Sequence, residues 1–302
     1  MSATAPAPEL ESALGRLERE FPQILVELSR GARVAMRECA TQRTGTTWVL
    51  LHGISSGAAS WLDCALALAH HSDAPVARVL AWDAPGYGES TRLAADAPAV
   101  DDYVERLGEA LDALGVSRCV LVGHSMGALI AAAYARRHGA ARVSRLVLIS
   151  PAAGYGAPEH AGQLERVRRR RLDELTELGV AGLAERAAER LLSDGADSAA
   201  RQWVQWNAAR LDPAGYRQAV ELLCSADLAR SRPLTMPVSV YCGEADRVTP
   251  PADCAERARL FGASFSLIAR AGHASTVEQA TLLAAAIARD ARRSTVAGID
   301  HD

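Results

Sequence analysis

Ser125 is flanked two residues on either side by Gly123 and Gly127, within Gly123-His124-Ser125-Met126-Gly127. An apolar run, Cys119–Val122, precedes this segment, and an Ala-rich run opens at Ala128. Glycines at these two positions suit a sharp strand-to-helix turn, where neighbouring backbones come too close for a Cβ. Such a turn strains the serine, exposes its hydroxyl and places it at a helix N-terminus, where developing negative charge is favoured. The chemistry suggested is nucleophilic attack by an alcohol. A serine alcohol is a weak nucleophile, so a base must accept its proton.

Eight histidines are available: 52, 70, 71, 124, 138, 160, 273 and 301. His124 adjoins the serine, and its side chain should diverge from Oγ. His52 ends an apolar run and is expected to brace a loop. His70, His71 and His138 fall at helix ends, His160 in a helical segment and His301 in the tail. His273 follows the last apolar run, in a Gly-containing loop ahead of the final helix. Loops at the carboxyl ends of parallel strands converge, which makes His273 the expected general base. An acid must then hold its tautomer and stabilise the imidazolium. Glu244 and Asp246, both just after Tyr241-Cys242-Gly243, compete for that role. Asp83 sits in a Pro/Gly turn, where aspartate commonly caps backbone N–H groups.

The elements that would carry these residues alternate. Strands are predicted near 33–39, 47–52, 78–83, 119–123, 145–150, 238–243 and 264–269. Helices are predicted near 61–70, 100–114, 126–138, 252–260 and 275–289. Continuously apolar strands such as VLVG and LVLIS indicate a sheet covered on both faces. The alternation predicts an α/β fold with a mostly parallel sheet. Residues 9–30 suggest an amphipathic helix broken or restarted at Pro22. Residues 152–233 lack a strand pattern and suggest a helical insertion, or lid. The expected organisation is thus a tail and helix over 1–32, a core over 33–151 and 234–302, and a lid over 152–233.

The corner around Ser125 resembles that of the α/β-hydrolase family, and the resemblance runs from about residue 33 onward. Leu51-His52-Gly53-Ile54 resembles the family's oxyanion loop, and Trp82–Ser90 its turn after the next strand. Gly243-Glu244-Ala245-Asp246 and Gly272-His273 resemble its acid and histidine loops. The resemblance implies an eight-stranded, mostly parallel sheet with helices on both faces. It implies Ser125, Asp246 and His273 as catalytic residues, with the N–H groups of Ile54 and Met126 as the oxyanion hole. Dehalogenases and epoxide hydrolases of this fold carry aspartate where Ser125 stands.

The implied activity is that of a serine esterase cleaving a carboxylic ester through an acyl-enzyme. Amide, lactone or thioester cleavage is an alternative. So is C–C hydrolysis of a vinylogous diketone from aromatic ring fission, because the loop His52–Trp61 resembles that of such hydrolases. Two departures separate the chain from them: His124 stands where they usually have Asn, and Ala274 where they usually have Trp. A non-catalytic receptor or scaffold is the reading from a different class. Trp61, Trp203, Trp206, Asn207 and Tyr216 are expected pocket walls for an apolar or aromatic substrate portion. Ser55, with Ser56, would add a polar handle.

Thirty-three basic and 36 acidic residues give a formal charge of −3. This balance gives no reason to expect nucleic acid as a partner. The run Arg166, Arg168–Arg171 precedes Asp173, Glu174 and Glu177 at helical spacing and suggests a solvated, ion-paired face, with an anion or partner contact as the alternative. Cysteines 39, 64, 119, 224, 242 and 254 show neither metal-ligand spacing nor close pairing. They suit a reducing cytoplasm. No leader pattern and no apolar run of membrane-spanning length is present, so no membrane association is expected. No metal and no organic cofactor is expected, since H-x-x-x-H, clustered carboxylates and a dinucleotide fingerprint are missing. The expected partner is a small-molecule substrate, and homo-oligomerisation is left open.

Overall fold

The computed structural model describes residues 8–41, 44–71 and 75–296. The Pro/Ala tail before residue 8 and His301 lie outside these described residues. The chain opens with α1 (Pro8–Glu20), β1 (Gln23–Glu27), β2 (Arg33–Ala40) and β3 (Thr46–Leu51). There follow α2 (Leu62–Ala69), β4 (Val76–Trp82), α3 (Val100–Ala113), β5 (Cys119–His124), α4 (Met126–Arg142) and β6 (Val143–Ile149).

One eight-stranded sheet runs in the order β1-β2-β4-β3-β5-β6, then β7 (Val238–Gly243) and β8 (Ser264–Ile268). The β1–β2 and β2–β4 pairs are antiparallel; all others are parallel. The two-residue period of the strands divides the core. Val49, Leu51, Leu80 and Leu121 pack on one face against Tyr103 and Leu107 of α3 and Leu129 of α4. Trp48, Leu50, Val79, Val120 and Val122 pack on the other face against Leu62 and Ala65 of α2. Leu283 and Ile287 of the final helix join this second layer. Each such fully buried Val or Leu stabilises the fold by about 1.5–3 kcal/mol relative to exposure.

The predicted N-terminal helix is half right. It ends at Glu20, and Gln23–Glu27 forms the sheet's edge strand β1 instead. The sheet therefore starts inside the segment expected to be tail and helix. Pro22 cannot continue the helix, and the carbonyl oxygens of Leu17 and Phe21 accept from Arg37 Nη1 of β2. Gln-Ile-Leu-Val-Glu then pairs with β2 from Gln23↔Arg37 to Glu27↔Arg33. A partner strand supplies what local periodicity could not show.

Between β6 and β7 the chain forms α5 (Ala161–Leu191), α6 (Ser198–Ala208) and α7 (Pro213–Ser225). Asp197 and Asp212 cap the last two, accepting from Ala200 N–H (2.8 Å) and Gly215 N–H (2.7 Å). α5 is broken at Gly179, where φ is 62°. The C-terminal part is α8 (Pro251–Leu260) before β8, then the short α9 (Ser275–Glu278) and α10 (Ala280–Val296). Among the described residues no helix is long and apolar enough to cross a membrane.

Candidate active site

β3, β5, β6, β7 and β8 are consecutive parallel neighbours, so the loops after β3, β5, β7 and β8 leave one edge of the sheet together. Ser125 sits in the corner after β5 with φ 52° and ψ −113°, a strained conformation for a residue with a Cβ. Its flanks explain the glycines. A Cβ on Gly123 would meet Gly127 O at 2.5 Å, and one on Gly127 would meet Leu51 O at 2.3 Å. Ser125 is anchored by its N–H to Ile149 O at 3.0 Å.

Asp246 follows β7 and His273 follows β8. His273 Nδ1–H donates to Asp246 Oδ2 at 2.9 Å. Both side chains are buried. Asp246 Oδ1 accepts from Val248 N–H (2.8 Å) and Thr249 N–H (2.9 Å), and Oδ2 accepts from Thr249 Oγ1 (2.8 Å). Burial alone would push the Asp246 carboxyl up. The hydrogen bond and charge of His273, with the Thr249 N–H, outweigh it and hold the carboxyl well below the usual carboxylate range. Glu244, the competing acid, instead accepts from Arg270 N–H at 3.2 Å. Thr249 belongs to this cluster, and its only signal in the sequence is its place three residues after Asp246.

Ser125 and His273 line the same cavity, of about 870 Å³, together with Gly53, Ile54 and Ser55. No hydrogen bond joins Ser125 Oγ to His273 in this conformation. The Nδ1 side of the ring is committed to Asp246, with Thr249 Oγ1 3.2 Å away, which leaves Nε2 as the free nitrogen. Catalytic contacts of this kind commonly tighten only when substrate binds. Among the described residues the N–H groups of Ile54 and Met126 have no acceptor.

Buried histidines brace the surrounding loops. His52 Nδ1–H donates to Gly53 O at 2.8 Å, and its Nε2 accepts from Ala84 N–H at 3.0 Å. Tyr87 Oη donates to Ile54 O at 2.7 Å, a contact not foreseen in the sequence. Asp83 accepts from Ala58 N–H at 2.7 Å, which places it in the turn rather than at the cavity. His124 Nε2–H donates to His273 O at 2.9 Å. Burial, then the neighbouring His273, pulls the His124 pKa down to about 3. Glu278 accepts from Gly272 N–H (2.8 Å), Ser193 N–H and Ser193 Oγ, tying the end of α5 to the His273 loop.

The expected pocket walls fare differently. Ser55 lines the cavity; Trp61, Trp203, Trp206, Asn207 and Tyr216 do not. Trp61 is fully buried behind the site, edge-on to His124 with centroids 6.4 Å apart. Trp203 and Trp206 stack on each other at 4.9 Å, and Arg210 lies over Trp206. Asn207 Nδ2 donates to Trp203 O at 2.8 Å, within α6. Tyr216 is buried behind Arg171, whose Nη1 donates to its hydroxyl at 3.3 Å. Aromatics spaced along a helix look alike in sequence whether their face meets the core or a cavity. The actual walls combine Tyr155, Leu191, Leu223 and Leu260 with several charged side chains. The arginine run is largely the exposed, ion-paired face expected: Arg166, Arg169 and Arg170 are exposed and Arg168 pairs with Glu221 at 2.7 Å, but Arg170 and the half-buried Arg171 also line the cavity. A second cleft, of about 560 Å³ beside Arg33 and Glu89, contains none of these site residues.

A family model described as the alpha/beta hydrolase fold matches residues 47–280. The chain belongs to the α/β-hydrolase family. It has that family's eight-stranded, mostly parallel sheet. It is 34% identical over 123 residues to the Sus scrofa protein named 1-acylglycerol-3-phosphate O-acyltransferase ABHD5, covering 40% of this chain and 33% of that protein. It is 37% identical over 112 residues to a 2-hydroxy-6-oxononadienedioate/2-hydroxy-6-oxononatrienedioate hydrolase of Paraburkholderia phymatum, covering 37% of this chain and 38% of that protein. The chain thus matches little more than a third of the length of these curated relatives. A thermophilic esterase from Thermogutta terrifontis shares the α/β-hydrolase architecture with a TM-score of 0.76 and 24% identity, over 90% of this chain and 98% of that one. That likeness is one of fold.

Proposed function

We propose that this α/β-hydrolase is a serine esterase that cleaves a carboxylic ester through Ser125, His273 and Asp246. The observation that carries the reading is a single cavity holding a strained serine beside a histidine whose Nδ1–H is committed to a buried carboxylate. Ser125 Oγ attacks the ester carbonyl while His273 Nε2 takes its proton. The tetrahedral oxyanion accepts from the N–H groups of Ile54 and Met126, each typically worth several kcal/mol. His273 then protonates the leaving alcohol, and the acyl-enzyme forms. Water activated by the same imidazole attacks that intermediate and releases the acid. Asp246 holds the Nδ1–H tautomer throughout and stabilises the imidazolium.

The cavity walls support a substrate with an apolar portion against Tyr155, Leu191, Leu223 and Leu260, rather than against the tryptophans of α6. A second reading, C–C hydrolysis of a ring-fission product, is favoured by the relative named as a hydrolase of 2-hydroxy-6-oxononadienedioate. Steady-state kcat/KM on a panel of alkyl and aryl esters and on a ring-fission dienone separates the two. The ester reading expects the higher kcat/KM on an ester; a higher value on the dienone would replace it with the second reading.

A further inference from the structure

Among the described residues five arginines line the cavity of Ser125. Two are neutralised beside it, Arg247 by Asp194 and Arg257 by Asp253. The other three, Arg170, Arg171 and Arg190, all belong to α5, and among the described residues none has a carboxylate within 4.0 Å. Glu174 lines the same cavity and its charge partly offsets the repulsion at Arg190, but it lies beyond 4.0 Å and forms no ion pair with the three. Arg190 Nη2 donates to the hydroxyl of Ser55 at 2.8 Å. Arg171 gives one N–H to Tyr216, and among the described residues its buried Nε has no hydrogen-bond partner. Burial, then the adjacent Arg171 charge, depresses the Arg190 pKa, so the two guanidinium groups repel each other in a partly dry space.

Unpaired cations out of water are costly, and an anion placed between them would relieve both the repulsion and the orphaned Nε. Two guanidinium forks suit the oxygens of a carboxylate or a phosphate. Ser55 follows Ile54, whose N–H has no acceptor among the described residues, so such an anion would sit beside the reacting carbonyl on its α5 side.

We infer that Arg190 and Arg171 form an anion subsite, and that the substrate is an ester bearing a carboxylate or phosphate group. This deepens the esterase reading and rests on it, but its test does not require catalysis. Calorimetric titration of Ser125→Ala protein with the monomethyl esters of glutarate, adipate and pimelate, and with their dimethyl esters, reads the charge preference directly. Inorganic phosphate and glycerol 3-phosphate form a second arm that separates the two kinds of anion. At least one anionic probe is expected to bind about tenfold or more tighter than the neutral diesters, in keeping with a charge-assisted pair. Adding Arg190→Gln should reduce that advantage to about twofold, while Arg186→Gln, on an exposed face of the same helix, should leave it intact. A circular-dichroism thermal melt like the parent's verifies that Arg190→Gln is folded, and Arg171→Gln carries the same test should it not be. Equal binding of neutral and anionic probes, or an anionic advantage that survives both Arg190→Gln and Arg171→Gln, would overturn the inference. Failure of the serine mechanism would appear instead in the labelling of the unmodified protein by an active-serine phosphonate.

Discussion

His124 Nε2 donates a 2.9 Å hydrogen bond to the backbone carbonyl of His273, so the residue before the strained serine carries the loop of the proposed base. A carbonyl can only accept, which fixes the proton of a neutral His124 ring on Nε2. The rings of the two histidines lie 4.9 Å apart, close enough that a second positive charge beside His273 would oppose its protonation. A neutral His124 keeps the proposed acid–base chemistry on His273 alone.

That neutrality has a stability signature. The folded pKa of His124 is pulled from 6.5 to about 3 by burial and by His273. Between those values the unfolded chain binds a proton that the folded chain does not, so stability falls as pH falls. From about pH 6.5 to about pH 4.5 this residue should cost the fold roughly 2–3 kcal/mol. Urea midpoints at the two pH values should drop less in His124→Gln, whose amide can still donate to His273 O. Equal drops in variant and parent would show that His124 is not the buried neutral group described.

Asp246→Asn should keep the fold and lose the rate. An asparagine oxygen can still accept from the Val248 and Thr249 N–H groups that the carboxylate holds. Its amide, however, favours the wrong tautomer of His273 and cannot stabilise an imidazolium. A kcat loss of about 10³–10⁴-fold with little change in KM is expected. Steady-state kinetics, with a thermal melt to verify folding, checks it; a loss under tenfold would remove Asp246 from the mechanism.

The corner itself is testable through Gly127→Ala. Its Cβ would meet the Leu51 carbonyl oxygen at 2.3 Å, a backbone atom that cannot swing aside as a flexible side chain could. The variant should be destabilised by about 3 kcal/mol and should lose kcat as the Ser125 turn opens. Denaturant unfolding beside kinetics measures both. Unchanged stability would mean that the close approach of β3 to the corner is not a constraint.

The sequence revealed what local chemistry dictates. The Gly123/Gly127 spacing, the buried strands and the loops after β7 and β8 were readable because each is forced by backbone sterics or by two-sided burial. Gln23–Glu27 was not, because an edge strand is defined by the strand it pairs with, and nothing local separates it from a helix resumed after Pro22. The tryptophans of α6 were given to the pocket because a helix face has no label for what it packs against. Arg190 could not be placed beside Arg171, since the break at Gly179 resets the helical phase between them. Thr249 and Glu278 act through contacts made only after their loops meet.

The account stands most directly on the reactivity of Ser125, and active-serine phosphonate labelling with mass spectrometry of the modified peptide measures it. The intact enzyme should take up one label, on the peptide containing Ser125. Ser125→Ala and His273→Ala, each verified as folded, should lose it. An unlabelled enzyme, a label on another residue, or a His273→Ala protein labelled at the parental rate would contradict the account.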